Sequence, residues 1–253
     1  MNRMNRLNRL MKMITVMMII CTMGAVFSIA SASAQQSNKS QDSGDKPVIC
    51  IEAGHQSKGN AEKEPIGPGS KTLKAKVSGG TSGIKTKKPE YKLNLEVALK
   101  LEKALKPDYK VVMVRRTNEV DLSNKERAEL CNKVKADVMI RLHADGSTDR
   151  AVTGMTFFYP SANNTYTKSI AGSSREIAET VAKQVLKSTG AKSRGVKARG
   201  DLTGFNWLTV PSVLIEMGFM TNIAEDKLLS DAAYQDKIVA GIKAGLDAYD
   251  FDE

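Results

Sequence analysis

Apolar positions along this chain fall into two alternating patterns. Short unbroken runs predict buried strands, and longer stretches with an apolar side chain every three or four residues predict amphipathic helices. A run over 48–51 predicts the first strand. From Pro89 the period lengthens: Leu93, Val97, Leu101 and Leu105 mark one helical face, with Pro89 at its entry and Pro107 beyond its exit. Residues 110–115 predict a strand, and 123–134 a helix in which Ser123 and Glu126 form a capping box. Strands follow at 137–142 and 153–159, then a long helix at about 167–187 whose face carries Ile170, Ile177, Val181 and Val185. Short strands at 207–209 and 212–215 are broken by Pro211, and a last helix over 232–249 buries Tyr234, Ile238, Ile242 and Leu246. Strands alternating with helices predict a single α/β domain, with helices covering a largely parallel sheet. Residues 54–89 are rich in Gly, Lys, Ser and Thr and predict a long loop of the kind that is functional or mobile. Gly79 to Gly83 within it lack the preceding strand and the Gly-Lys-Ser/Thr ending of a phosphate cradle.

Three of the predicted strands end in chemistry. The chain has only two histidines. His55 closes the run VICIEAGH, His143 closes VMIRLH, and the run VLI at 213–215 ends in Glu216. Open α/β sheets place their ligands beyond the carboxyl ends of the strands. Two neutral imidazoles and one carboxylate make a catalytic zinc shell with an open fourth position, and a further carboxylate can move the proton. This predicts a metal-dependent hydrolase in which His55, Glu90 and His143 hold one Zn2+ and Glu216 is the base and acid. Glu90 opens a predicted helix, where the dipole favours its charge. Glu52, Glu62 and Glu64 also lie near His55 in sequence. A glutamate at the end of an apolar strand, as at 216, is costly to bury without a partner or a task.

The 253 residues and 41% hydrophobic content suit one sizeable globular domain. The N-terminus is set apart. Arg3, Arg6, Arg9 and Lys12 precede an uncharged apolar stretch over 13–30, and Ala32-Ser33-Ala34 supplies a small-residue cleavage signal. Residues 1–34 are therefore expected to be an export signal or, uncleaved, an N-terminal anchor. Cys21 follows Ile19-Ile20 rather than the small residue of a lipid-attachment site. Residues 35–46 read as a disordered linker, and 47–250 as the catalytic domain. Losing the four basic signal residues leaves about +6 of the formal +10, an excess that would meet an anionic wall polymer after export. Nucleic acid is disfavoured by the export signal, the 5% aromatic content and the scatter of basic residues. Cys50 and Cys131 lie in apolar contexts and are expected to be buried free thiols, pairing only if their Cβ atoms meet.

The segments EAGH (52–55), PEYKLNLEVALKL (89–101), RLHAD (141–145) and LIEMGFMTN (214–222) occur in the order found in the zinc-dependent N-acetylmuramoyl-L-alanine amidases of bacterial cell walls. VVMVRRT (111–117), SNKERAELCNKVKADVMI (123–140) and RGVKARGDLTGFNWLTVPSVLIEMGF (194–219) also resemble that family, so the likeness spans nearly all of 47–250. It implies a six-stranded mixed, mostly parallel sheet flanked by helices, in the manner of phosphorylase/hydrolase-like folds. It also implies hydrolysis of the amide between N-acetylmuramic acid and the first L-alanine of the peptidoglycan stem. The family's zinc ligands fall on His55, Glu90 and His143 and its catalytic glutamate on Glu216, while Arg127 and Asn132 are read as structural. The chain departs from many relatives at Glu52, where they carry Asp, at Gln56, where they carry Gly, and over 141–145, where they carry Ser-Ile-His-Ala-Asn and this chain carries Arg-Leu-His-Ala-Asp. These changes bear on support of the ligands rather than on the ligands. The segment between His143 and Glu216 leaves little room for the occluding helix of some relatives, which predicts an open groove. The expected partner is peptidoglycan, met by a monomeric autolysin exported to the wall or a periplasm-like compartment, with membrane contact only through an uncleaved N-terminus. The rival readings are a non-catalytic wall-binding or regulatory protein on the same fold, and a zinc carboxypeptidase acting on stem peptides.

Overall fold

The computed structural model describes residues 46–251, so the signal and all but the last residue of the linker lie outside the described residues. The first strand, β1 (Val48–Ala53), is buried along almost its whole length. Its side chains alternate: Ile49, Ile51 and Ala53 enter one core, and Cys50 enters a second core on the opposite face. A strand buried on both faces reads as an unbroken apolar run, which is why it is legible in the sequence.

The main sheet contains β1, β4 (Lys110–Met113), β5 (Val138–Asp145), β6 (Met155–Pro160), β7 (Ser193–Arg199) and β8 (Ser212–Phe219) in the order β4-β1-β5-β8-β6-β7. All neighbours are parallel except β6 against β8. The chain leaves β1 for β4 on one side and returns to β5 on the other, so a crevice opens at the carboxyl ends of β1 and β5. The larger core lies between one sheet face and α1 (Glu90–Leu105), α3 (Ala171–Thr189) and α6 (Ala232–Asp247). On the other face α2 (Asn124–Lys133) and the short α4 (Thr203–Asn206) cover β1, β5 and β8. The fold is the six-stranded mixed sheet that the family resemblance implies.

Local signals hold where helices begin. Leu93, Val97, Leu101 and Leu105 of α1 are all fully buried, and the helix starts at Glu90 after Pro89. Both bonds of the Ser123–Glu126 capping box form.

Several expectations are corrected. Residues 54–89 are not an unstructured loop: they contain an antiparallel hairpin, β2 (Asn60–Pro65) with β3 (Leu73–Val77). Its strands are polar and form their own two-stranded sheet, so no apolar alternation announces them. Tertiary bonds anchor it, from Trp207 Nε1 to the Pro65 carbonyl and from Asn124 Nδ2 to the Lys76 carbonyl. Residues 207–209 are not a strand. Asn132 instead donates to the Trp207 carbonyl and accepts from the Thr209 N–H, so side chains satisfy the backbone that a sheet partner would have paired. The long helix starts at Ala171, after turns closed by Thr167 Oγ1 on the Ser161 carbonyl. Strand β7 and α5 (Ile223–Ser230) escaped the sequence reading, one as a polar edge strand and the other as a short helix.

The cysteines are also corrected. Cys50 and Cys131 form a disulfide, with Cα atoms 5.7 Å apart. It joins β1 to α2 across a sequence separation of 81 residues. Closing a loop of that length in the unfolded chain is expected to contribute about 2–5 kcal/mol. Reduction should therefore lower the thermal midpoint by several degrees in a melt with and without dithiothreitol, and an unchanged midpoint would mean that the bond contributes nothing.

Candidate metal centre and active-site cleft

At the crevice the chain ends of β1 and β5 bring three side chains to one point. His55 Nε2 lies 3.1 Å from Glu90 Oε1, His143 Nδ1 lies 3.3 Å from the same oxygen, and the two ring nitrogens are 3.2 Å apart. Among the described residues this is the one group of three or more such donors able to hold a metal ion. A tetrahedral ion with bonds of about 2.0–2.1 Å separates its ligands by about 3.3 Å, so the triangle has the size of one face of that shell. Glu90 reaches it from the first turn of α1, as expected. Glu62 and Glu64 do not: Glu62 pairs with Lys76, and Glu64 accepts from the Lys125 N–H at the start of α2.

His55 and Glu90 are each held from behind. His55 Nδ1 donates to the Ser78 carbonyl at 2.9 Å. A carbonyl can only accept, so Nδ1 carries the hydrogen and Nε2 turns a lone pair into the triangle. Glu90 accepts from the Thr81 and Ala144 N–H groups and from Asn94 Nδ2, one helical turn on. Burial pushes the Glu90 carboxyl up, but His143 and His55 outweigh it and hold the group far below the usual range. Burial pulls His143 down, while Glu52 and Glu90 raise it to about 9. Its Nε2 is buried without a hydrogen bond and faces Glu52 Oε2 at 3.6 Å.

Glu52 anchors a buried network under the triangle. Arg127 Nη1 donates to one of its oxygens at 2.9 Å and Arg141 Nε to the other at 2.7 Å. Burial pushes Glu52 up, yet Arg141, His143 and Arg127 together hold it well below the usual carboxylate range. Arg127 also donates to the Ala53 and His55 carbonyls and to Gln56 Oε1, and Arg115 donates to the Ala53, Gly54 and Tyr91 carbonyls. His55 sits at φ +60°, a backbone cost of about 1–3 kcal/mol for a residue with a Cβ. These bonds over-determine the 53–56 backbone and keep it there. The departures at Glu52, Gln56 and Arg141 thus meet in one place. Arg127 and Asn132 are structural, as read from the sequence; Arg115, Asn94 and Ser78 were missed. Asn94 alone left a signal, its spacing of four from Glu90 on a helix.

Gly54 is required by a close approach. A Cβ there would stand 2.2 Å from His143 Cε1. Gly54→Ala should therefore swing the His143 ring out of the triangle and leave the purified protein with far less than one metal ion per chain by elemental analysis, with its circular dichroism retained. Full metal content in that variant would contradict the geometry.

Glu216 stands beside His143 in the paired register of β5 and β8, and both line an open cleft of about 530 Å³ with His55 and Glu90. Its Oε2 is buried without a hydrogen-bond partner. Burial is the main reason its carboxyl is pushed up to about 8, with Glu90 and Asp145 adding to the rise against His143 and Arg199. The cleft thus holds three converging ligand atoms and one unengaged carboxyl group.

The family model Amidase_3, described as N-acetylmuramoyl-L-alanine amidase, matches residues 49–248. The N-acetylmuramoyl-L-alanine amidase LytC of Bacillus subtilis (strain 168) is 27% identical over 160 residues, covering 63% of this chain and 31% of LytC. This chain therefore spans less than a third of that relative. A putative N-acetylmuramoyl-L-alanine amidase of Buchnera aphidicola subsp. Acyrthosiphon pisum is 30% identical over 213 residues, covering 67% of this chain and 88% of the relative. Among solved structures, the catalytic domain of the N-acetylmuramoyl-L-alanine amidase CwlV from Bacillus (Paenibacillus) polymyxa var. colistinus superposes with a TM-score of 0.63 at 28% identity, over 80% of this chain and 97% of that domain. The match to the family model, the relatives and the sheet order agree: this chain belongs to the N-acetylmuramoyl-L-alanine amidase family.

Proposed function

We propose that this protein is a zinc-dependent N-acetylmuramoyl-L-alanine amidase that cleaves the amide between N-acetylmuramic acid and L-alanine in peptidoglycan, with His55, Glu90 and His143 as metal ligands and Glu216 as the proton-transfer residue. The observation that carries the reading is the His55–Glu90–His143 triangle, sized for one tetrahedral ion, sharing its cleft with the unpartnered carboxyl of Glu216. Bound there, zinc would supply a Lewis acid that polarises the scissile carbonyl and brings the pKa of water toward about 7. The protein's own residues do the rest. Ser78 keeps the His55 imidazole turned so that Nε2 would face the ion. Glu216 projects from β8 beside His143 and Thr156, on the face that lines the cleft. A divalent charge next to it opposes the effect of burial and favours the carboxylate, which can then take a proton from the attacking water and return it to the leaving amine.

Export to the cell wall rests on residues 1–34, and a monomer acting on peptidoglycan rests on the open cleft and the basic surplus. No helix among the described residues is long and apolar enough to cross a membrane.

The test is digestion of defined muropeptides with and without a chelator, with products read by mass spectrometry. Release of whole stem peptides, lost on chelation and restored by zinc, is the expected result. Single amino acids would instead indicate a carboxypeptidase, and no product from a metal-loaded protein would indicate a wall-binding protein without catalysis.

A further inference from the structure

Beyond Glu216 the sheet face that carries it continues onto β6 and β7. Register pairing puts His143, Glu216 and Thr156 in one row across β5, β8 and β6, so their side chains share a sheet face. The next row on that face is Leu214, Phe158 and Lys197. Strand β7 carries a bulge opposite Thr156, where Gly195 adopts φ +95°. Lys197 leans back along the strand toward that glycine, its Cε 3.8 Å from where a Gly195 Cβ would stand. Its ammonium has no ion pair or hydrogen bond among the described residues. Arg199 lies over the Phe158 ring, 5.0 Å from its centroid. Its Nε and Nη2 bind Asp201 at 2.7 and 2.9 Å, which leaves Nη1 as a donor, and it is close enough to Glu216 and Asp145 to interact with both electrostatically.

Basic side chains on an edge strand ordinarily prevent strands from pairing edge to edge. That role asks for charge along the edge. It does not ask for a guanidinium placed over an aromatic side chain on the face that carries Glu216.

The geometry points to a cationic subsite, built by Lys197 and Arg199 on the Phe158 side of the cleft, that binds a carboxylate on the peptide arm of the substrate. This rests on the amidase reading for the position of the scissile amide. Lys197 lies two strand spacings across the sheet and two residues along it from Glu216, about 12 Å, which about three to four extended residues span. The ligand class is therefore an acidic peptide with a free carboxylate within about four residues of the bond cleaved. A guanidinium over a ring and already fixed by Asp201, together with an unpaired ammonium, binds such a group by charge-assisted hydrogen bonds, with little side-chain entropy lost at the arginine.

The test compares two ligands that differ in one group: N-acetylmuramoyl-L-alanyl-γ-D-glutamyl-L-lysine amide, with its free α-carboxylate, and the same compound with D-isoglutamine, where that carboxylate is a carboxamide. Binding to metal-loaded Glu216→Gln protein is measured by calorimetry, which needs no turnover. The acid is expected to bind about tenfold or more tightly than the amide, a difference of about 1.4 kcal/mol. Lys197→Met with Arg199→Met should bring that ratio to about one while affinity for the amide form stays within about twofold. Equal binding of the two ligands before substitution, or an unchanged ratio after it, would overturn the subsite. In parallel, kcat/KM on both compounds with the unsubstituted protein tests the amidase reading alone. Absence of cleavage there, with the acid preference intact, would remove the reaction and leave the subsite standing.

Discussion

Glu216→Gln is expected to lower turnover of muropeptides by about 10³–10⁴-fold while the protein still binds one metal ion per chain. The amide keeps the volume of the carboxyl but cannot take a proton, and Glu216 is not among the three residues that form the triangle. Elemental analysis and product release, measured on the same preparation, check both halves, and undiminished turnover would end the mechanism proposed here. The substitution has a second, opposite effect on the metal-free protein. Glu216 is raised in the fold from an ordinary 4.5 to about 8. A raised value means that the folded state binds the proton more tightly, so this stabilisation is fully present below about pH 4.5 and is lost as pH rises toward 8. Metal-free Glu216→Gln protein lacks that loss. It should match the unsubstituted protein near pH 4.5, gain on it as pH rises, and lead by a few kcal/mol at pH 8, since a tenfold change in proton affinity corresponds to about 1.4 kcal/mol. Urea unfolding of both metal-free proteins at pH 5 and pH 8 measures it. A difference independent of pH would mean that burial does not hold the proton on Glu216.

Arg127→Met is expected to destabilise the fold by about 3–5 kcal/mol and to abolish stoichiometric metal binding. Arg127 is 1% exposed and makes five hydrogen bonds, to Leu122, Glu52, Ala53, His55 and Gln56. Methionine fills much of the space but satisfies none of these acceptors. Glu52 would lose one of its two arginine partners, and the His55 backbone would lose a bond that holds it at positive φ. Thermal melts and zinc titration separate the two effects, because the His55, Glu90 and His143 side chains remain. A variant that melts lower yet binds metal with unchanged affinity would show that Arg127 supports the fold and not the site. Gln56→Ala, which removes one partner of Arg127 and keeps the Glu52 pair, should shift both quantities in the same direction by less.

How far the site could be read in advance depended on whether its determinants were local. The two histidines were legible because each follows an apolar strand, and Glu216 because a carboxylate ends one. Glu90 was singled out from Glu52, Glu62 and Glu64 by its place at a helix start after Pro89 together with the family pattern. The network behind them was not. Arg115, Arg127 and Arg141 look like surface cations in a basic chain, and only the closing of β1, β5 and α2 on one another buries them around the Glu52–Gly54 segment. The disulfide is a similar case: the apolar settings of Cys50 and Cys131 read equally well as free thiols until β1 and α2 pack.

What the sequence determined by itself was therefore the α/β alternation, the helix starts and the residue types that meet at the carboxyl ends of the strands, because periodicity, capping and strand-end position are local properties of the chain. Tertiary structure alone decided the polar hairpin over 60–77, the edge strand β7 and the distances within the His55–Glu90–His143 triangle. A polar strand carries no alternation and takes its shape from the partners it finds. Ångström-scale convergence of His55 and His143, 88 residues apart, is set by strand order and packing.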